Sequence, residues 1–207
     1  MLTVHHLNDS RSQRILWLLE ELDLPYEIEF YQRDAVTRLA PPKLKAVHPL
    51  GKSPVLTDGT ATVIESGAIV DYILRCHGGG RLVPATDSAD YDAYVQWLHY
   101  AEGSAALPWM LKLYTGRLGE AAAPLAPRID SEIANHLGYL EAWLAERDWL
   151  VGSALSGADI QMSFIGEIAG AYGLRARYPN IDAWVARFQA RDAYKRALEK
   201  GGPYSFA

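Results

Sequence analysis

The sequence predicts an α/β unit of order βαβ-α-ββα followed by an all-helical unit. Three observations carry this reading. Strand-like and helix-like stretches alternate from the first residues to His77. A segment with three consecutive glycines, Gly78 to Gly80, and Pro84 then breaks the pattern, as inter-domain linkers do. Beyond it the apolar residues recur only at helical spacing.

Residues 2–6 contain β-branched members and read as a strand. Arg11 to Asp23 reads as a helix, because Ile15, Leu18, Leu19 and Leu22 follow i, i+3, i+4, i+7, and Pro25 marks its end. Tyr26, Ile28 and Phe30 alternate with Glu27 and Glu29, the pattern of a half-buried strand. Val36 to Ala46 reads as a weaker second helix. Val55-Leu56 and Ala61 to Ile64 are short strands, and Asp58-Gly59 between them predicts a type I′ hairpin, whose two central residues need φ > 0. Pro54 cannot donate to a sheet ladder, so it belongs at the strand's first residue or on an edge. A cis Ser53-Pro54 bond would turn the Ser53 N–H and C=O away from a neighbouring strand and towards a ligand. Glu65 to His77 reads as the third helix, with Ala68, Ile69, Tyr72 and Ile73 on one face and the glycines ending it.

The first strand–helix–strand unit must be parallel with a right-handed crossover, and the last two strands are antiparallel. That topology is thioredoxin-like, with a site expected at the first strand-to-helix turn. The expected division is a first domain at 1–78, a linker at 79–87 and an all-helical domain at 88–207.

In the second domain Asp90 to Leu118 reads as one long helix with Tyr91, Tyr94, Val95 and Leu98 on one face. Pro124 to Arg147 carries Ile129, Ile133, Leu137, Leu140 and Leu144. The Ala-rich patch 121–126 reads as a loop. Ser156-Gly157-Ala158-Asp159 is a helix start of the capping-box kind, with Leu155 and Ile160 spaced as a hydrophobic staple; Asp159 is therefore assigned to folding. Ile181, Trp184, Val185 and Phe188 mark a further helix after Tyr178-Pro179-Asn180.

Composition narrows the function classes. The chain has 207 residues, a net charge of −5 and a pI near 5.7, which argues against a nucleic-acid surface, and no Lys/Arg run appears. No apolar stretch approaches the ~20 residues of a membrane span. The first residues have neither a basic start nor a long apolar core, so they do not read as a signal peptide. The single cysteine, Cys76, excludes an internal disulfide, a CxxC redox pair and a zinc ribbon, and a cytoplasmic location follows as the default. No metal site is expected: His5 and His6 are adjacent on a strand and point to opposite faces, and no histidine pair has i, i+4 spacing. Gly51-Lys52-Ser53 ends like a P-loop, but Ala46 stands where that motif needs a glycine and Pro54 blocks the helix that should follow.

The stretch His48 to Ser66 carries the strongest chemical signal. It joins outward-facing backbone at Ser53 to a carboxylate and a hydroxyl, Glu65-Ser66, beside the free N–H groups of a helix N-terminus. Such a pairing suits a small peptide with a free amine and carboxylates.

SRSQRILWLLEE at 10–21, HPLGKSPVL at 48–56, Glu65-Ser66 and LSGADI at 155–160, in that order along the whole chain, resemble the cytosolic glutathione transferases. The first helix is similar to a microbial serine-type group. The resemblance implies a homodimer that binds glutathione as co-substrate in the first domain and a small hydrophobic electrophile against the second, with conjugation as the reaction, peroxide reduction as a side activity, and no metal. Ser10 is then the thiol activator. A thiol of pKa near 8.5 is mostly protonated at pH 7, and lowering it by about two units takes roughly 2.7 kcal/mol. One hydrogen bond to the thiolate supplies ~1.5–3 kcal/mol and the helix end ~0.3–1 kcal/mol. A plain N-cap is the competing role for Ser10, and Ser12 is the alternative hydroxyl.

The resemblance places Ser53 and Pro54 against the cysteinyl peptide unit and Lys52 at the glycine carboxylate. It sets Glu65 on the γ-glutamyl ammonium and Ser66 on the α-carboxylate. The competing roles are a solvated loop charge for Lys52 and capping for Glu65-Ser66. Glu102 is expected to reach across the dimer to the partner's γ-glutamyl amine, against the competing role of a solvated helix charge. Tyr100, Trp109, Leu113 and Tyr114 are the candidate electrophile-pocket residues, although most aromatic stripes are core. Two other classes remain beside conjugation: a non-catalytic glutathione- or ligand-binding scaffold of the same fold, and isomerase or lyase chemistry, since fold does not fix reaction. A glutathione-dependent thiol oxidoreductase is disfavoured, because position 10 offers no cysteine for a mixed disulfide.

Overall fold

The computed structural model describes residues 1–207. Four strands form one sheet in the order β2-β1-β3-β4. β1 (Leu2–Leu7) pairs in parallel with β2 (Tyr26–Tyr31), Leu2 against Tyr26 and Leu7 against Tyr31. β3 (Val55–Asp58) runs antiparallel to β1, and β4 (Ala61–Ile64) antiparallel to β3. The crossover helix α1 (Gln13–Glu21) and α3 (Ser66–His77) complete the predicted thioredoxin-like order, with α2 (Leu44–Val47) between β2 and β3. The helical half comprises α4 (Asp90–Tyr100), α5 (Ala106–Thr115), α6 (Ala126–Leu144), α7 (Gly157–Ala171), α8 (Pro179–Gln189) and α9 (Asp192–Gly201).

Several elements differ from expectation for identifiable reasons. The helix expected at Val36 to Ala46 shrinks to four residues. The Asp34 carboxylate accepts from the Val36 and Thr37 N–H groups, a turn that competes with a helix. Arg38 is left-handed and Pro41-Pro42 bars any earlier start. The hairpin turn sits one residue later than expected: Asp58 pairs with Ala61, so the central residues are Gly59 and Thr60, and only Gly59 has a positive φ, +57°. The helix expected over 90–118 is interrupted by a π turn at Ala101–Ala105, where the Ala106 N–H reaches back to the Ala101 carbonyl. Pro108 has no N–H to offer Ser104, so the α-helical ladder fails just there. Gly116–Ala122 then winds as 3₁₀ helix with a kink at Gly119, over part of the stretch read as loop.

One core of 42 buried residues runs from Leu2 in β1 to Ala197 in α9, through both halves. α9 lies on α1, where Arg196 and Lys200 pair with Glu20 and Arg191 grips both oxygens of Glu21 at 2.6 and 2.8 Å. The stretch after α3 is held as well: Leu82 O accepts from Gly157 N at 2.7 Å and Arg81 donates to Leu22 O at 2.8 Å. Asp159 is fully buried and accepts four hydrogen bonds, from Ser156 N, the Ser156 hydroxyl, Leu150 N and Trp184 Nε1. The predicted cap is therefore also the knot between α7, α8 and the loop before α7.

Candidate functional site

The first strand-to-helix turn is tied down from the side. Arg33, just past β2, donates to the Asn8 and Asp9 carbonyls at 2.9 and 3.2 Å, and Asn8 Oδ1 accepts from Arg33 N at 2.8 Å. α1 starts only at Gln13, so Ser10 lies ahead of the helix and Ser12 occupies its N-cap position. The Ser10 hydroxyl is 2.7 Å from Ser12 Oγ, accepts from Ser12 N at 3.2 Å, and stands 3.4 Å from Ser53 Oγ. Ser10 is 6% exposed and Ser12 not at all. Ser12 Oγ is instead bonded to His6 Nδ1 at 2.9 Å, so the alternative hydroxyl faces the core.

Opposite this turn, the Ser53-Pro54 peptide bond is cis. The Ser53 side chain occupies the end of the ladder: its hydroxyl donates to His5 O at 2.8 Å and accepts from Leu7 N at 3.2 Å. Neither backbone group of Ser53 bonds to another backbone group. A side chain thus satisfies β1, and the main chain stays open to the cleft. Lys52 is exposed without an ion-pair partner, and lines the same cleft with His48 and Leu50.

Glu65 has φ 66° and ψ 119°, a conformation non-glycine residues rarely adopt and one that costs about 1–3 kcal/mol. It breaks β4 and starts α3 in a single residue while aiming an unpaired carboxylate at the cleft. Ser66, the first residue of α3, is buried, and its Oγ accepts from Arg14 at 2.7 Å and Gln161 at 3.2 Å. Arg14, also buried, pairs with Glu102 and donates to the Gln161 carbonyl. Arg11 reaches the other side of Glu102 at 2.8 Å and lies over the Phe164 ring. Burial works against ionisation of Glu102, but Arg14 and Arg11 outweigh it and hold its carboxyl below the ordinary value.

Glu102 is therefore not a solvated helix charge: two arginines of its own chain hold it. It lines the cleft of its own chain, because the π turn swings it towards α1. The four electrophile-pocket candidates also scatter. Trp109 is 1% exposed and packs against Tyr172 in the core, so no ligand meets it. Tyr100 turns to α6, bonded to His136 at 2.5 Å and edge-on to Tyr139 and Trp97. Leu113 and Tyr114 are exposed on the last turn of α5.

Lys52, Ser53, Pro54, Glu65 and Ser66 do converge, with Glu102, on one small open cleft. The sequence reading missed Arg11, Arg14 and Gln161. A signal existed: Arg11 and Arg14 precede Ile15 and Leu18 on the same helical stripe, where a charge must find a partner. The cleft offers open backbone at its middle, a cation at Lys52, and the N-terminus of α3 with the acids Glu65 and Glu102 at its far end.

Comparison with known proteins places this geometry. Residues 1–75 match the model of the glutathione S-transferase N-terminal domain, and residues 91–192 that of the C-terminal domain. Glutathione S-transferase 3 of Schizosaccharomyces pombe is 34% identical, over 97% of this chain and 88% of that one. A crystal structure of a glutathione S-transferase from Actinobacillus pleuropneumoniae superposes with a TM-score of 0.90 at 34% identity, covering 99% of this chain and 94% of the other. A sphingomonad glutathione S-transferase complexed with glutathione superposes with a TM-score of 0.81 at 25% identity, covering 97% and 98%. The chain belongs to the glutathione S-transferase family.

Proposed function

We propose that the protein is a glutathione transferase of the serine type, in which Ser10 stabilises the glutathione thiolate for attack on a small hydrophobic electrophile. The observation that carries this is the open Ser53 main chain facing the Ser10 turn, with Ser53 Oγ 3.4 Å from Ser10 Oγ. A peptide pairing with Ser53 brings its central side chain to Ser10. Ser53 and Pro54 hold the cysteinyl unit, Lys52 takes the glycine carboxylate, and the Ser66 N–H at the head of α3 takes the α-carboxylate. Glu65 and Glu102, the latter from the same chain, take the ammonium. The electrophile lies towards Leu113 and Tyr114, exposed on the last turn of α5. The protein works in the cytoplasm as a homodimer that detoxifies electrophiles, its sheet-bearing domain at 1–78 joined through 79–87 to the helical domain at 88–207.

The test pairs binding with absorbance. Glutathione and its S-methyl derivative are titrated calorimetrically, and thiolate absorbance near 240 nm is followed against pH. Both ligands bind, and only glutathione gives the absorbance. Ser10→Ala keeps the affinity, loses the absorbance near neutral pH and turns over tenfold or more slowly, since ~1.4 kcal/mol is a decade in rate. Normal turnover in that variant removes Ser10 from the reaction. Binding without any thiolate signal in the wild type favours a carrier or scaffold.

A further inference from the structure

Behind Ser10 runs a chain of hydrogen bonds with a histidine at its inner end. Ser10 Oγ is 2.7 Å from Ser12 Oγ, and Ser12 Oγ is 2.9 Å from His6 Nδ1. The other ring nitrogen, His6 Nε2, is 3.1 Å from the carbonyl oxygen of Gly201. A carbonyl only accepts, so Nε2 carries the hydrogen and Nδ1 is the acceptor of the neutral ring. Ser12 then donates to His6 at 2.9 Å in preference to the Leu7 carbonyl at 3.4 Å, and Ser10 donates to Ser12. The direction of every hydrogen follows from one carbonyl.

The consequence at Ser10 is specific. Its hydrogen points inward, and one lone pair takes the Ser12 N–H. The second lone pair takes no donor, so the resting hydroxyl presents an acceptor where a thiolate needs a donor. Ser53 offers no exchange, because its own hydrogen is spent on His5 O.

We propose that His6 is a positioning residue that takes up the glutathione proton through Ser12, thereby turning Ser10 from acceptor to donor. This rests on the assignment of Ser10 made above. The S–H bond breaks with its electron pair staying on sulfur, and the proton goes to Ser10 Oγ. The former Ser10 hydrogen passes to Ser12 Oγ, and the former Ser12 hydrogen passes to His6 Nδ1. The sum is thiol plus neutral imidazole giving thiolate plus imidazolium. In the product state His6 donates to Ser12, Ser12 to Ser10, and Ser10 to sulfur, with each oxygen still fully bonded.

The surroundings suit both states. Burial lowers the basicity of His6 below its ordinary value, which keeps it neutral until a thiolate appears. The Gly201 carbonyl pulls the other way, and it ends α9, where the helix dipole favours a cation. No other charge acts on the ring. β2 presents the Phe30 ring at 5.8 Å and α1 presents Ser12. On the elements packed there, Glu29 pairs with Lys43, Glu20 with Arg196 and Lys200, Glu21 with Arg191, Arg14 with Glu102 and Asp192 with Lys195, while Glu27 and Glu199 are exposed to solvent. His5, its neighbour in β1, points to the opposite face and bonds Tyr31.

The test uses the full chain with ¹⁵N-labelled histidine, His6 being assigned with His6→Asn. At pH 7.5 the His6 ring gives the neutral, Nε2-protonated pattern in the free protein and in the S-methylglutathione complex. It changes to the imidazolium pattern with glutathione. Ser12→Ala lowers kcat/KM about tenfold at pH 6.5 with glutathione KM unchanged, and the deficit shrinks as pH rises. A thiolate at 240 nm with His6 still neutral overturns the relay while leaving Ser10 in place, as does a Ser12→Ala profile that overlays the wild type. Glutathione bound with no thiolate at all overturns the Ser10 assignment itself. The ring measurement is made on the wild type and stands whether or not a variant folds.

Discussion

Glu65 shows how one residue carries both strain and chemistry. Its left-handed backbone is unfavourable for a side chain, yet it sets the free carboxylate at the head of α3. Two substitutions separate the contributions. Glu65→Gln keeps the strain and removes the charge, so glutathione binding falls by about 2 kcal/mol, the scale of a charged hydrogen bond, while the melting temperature holds. Glu65→Gly removes both, so it binds as weakly but melts higher, because a strained residue costs about 1–3 kcal/mol and glycine adopts this conformation freely. Calorimetry and thermal unfolding on the pair check both halves. At this scale the sequence was legible where a motif joins neighbouring positions, as at Ser53-Pro54 and Glu65-Ser66. It was silent on Arg14 and Gln161, which lie 147 positions apart and meet at Ser66. Trp109 misled because an aromatic on an amphipathic helix reads the same whether it lines a pocket or fills a core.

At the scale of elements, the predictable ones were those with a local stop or start. α1, α3 and the hairpin strands carry their own periodicity and turn residues, and the structure has them in order. The stretch at Val36 to Ala46 failed because side-chain bonds from Asp34 compete with the helix, and those are not periodic. α7 has a start written into Ser156 and Asp159, but its importance is larger than a cap. Asp159→Ala strands four donors, two of them on the main chain. With roughly 1–3 kcal/mol for each buried group left unpaired, and some relief by relaxation, the loss is about 3–5 kcal/mol in urea unfolding. A cap alone would lose about 1 kcal/mol, so a result near that value reduces Asp159 to a cap.

Over the whole molecule, the two halves are joined by charge as well as by apolar contact. Burial works against ionisation of Glu20, but the bonds from Lys200, Tyr26 and Arg196 outweigh it and hold the carboxyl below its ordinary value. A carboxyl depressed in the folded state adds stability that is full above its unfolded pKa of about 4.3 and is lost as pH falls through the folded value. Acid therefore loosens the α1–α9 junction. Stability measured in urea falls below about pH 4.5, and Glu20→Gln flattens that fall while being less stable at pH 7. An unchanged slope in the variant moves the acid sensitivity to another carboxylate. Nothing in the sequence pairs Glu20 with residues 176 and 180 positions later. The domain order was legible because linkers and periodicity are local; the junction was not, because it is made by tertiary contact.

The π turn at Ala101–Ala105 has a consequence for how such a site changes by descent. A helix advances about 100° per residue, and a π turn holds one residue more than an α turn. Substitution at Glu102 can alter a charge but cannot re-aim it. Loss of a single codon within 103–105 would shorten the turn by one residue, rotating Glu102 and all of α4 relative to α5 by about 100°. The acid would leave Arg11 and Arg14 in one heritable step, and the cleft would be open to a different ligand end. Length variation here, unlike point mutation, would re-aim the acid.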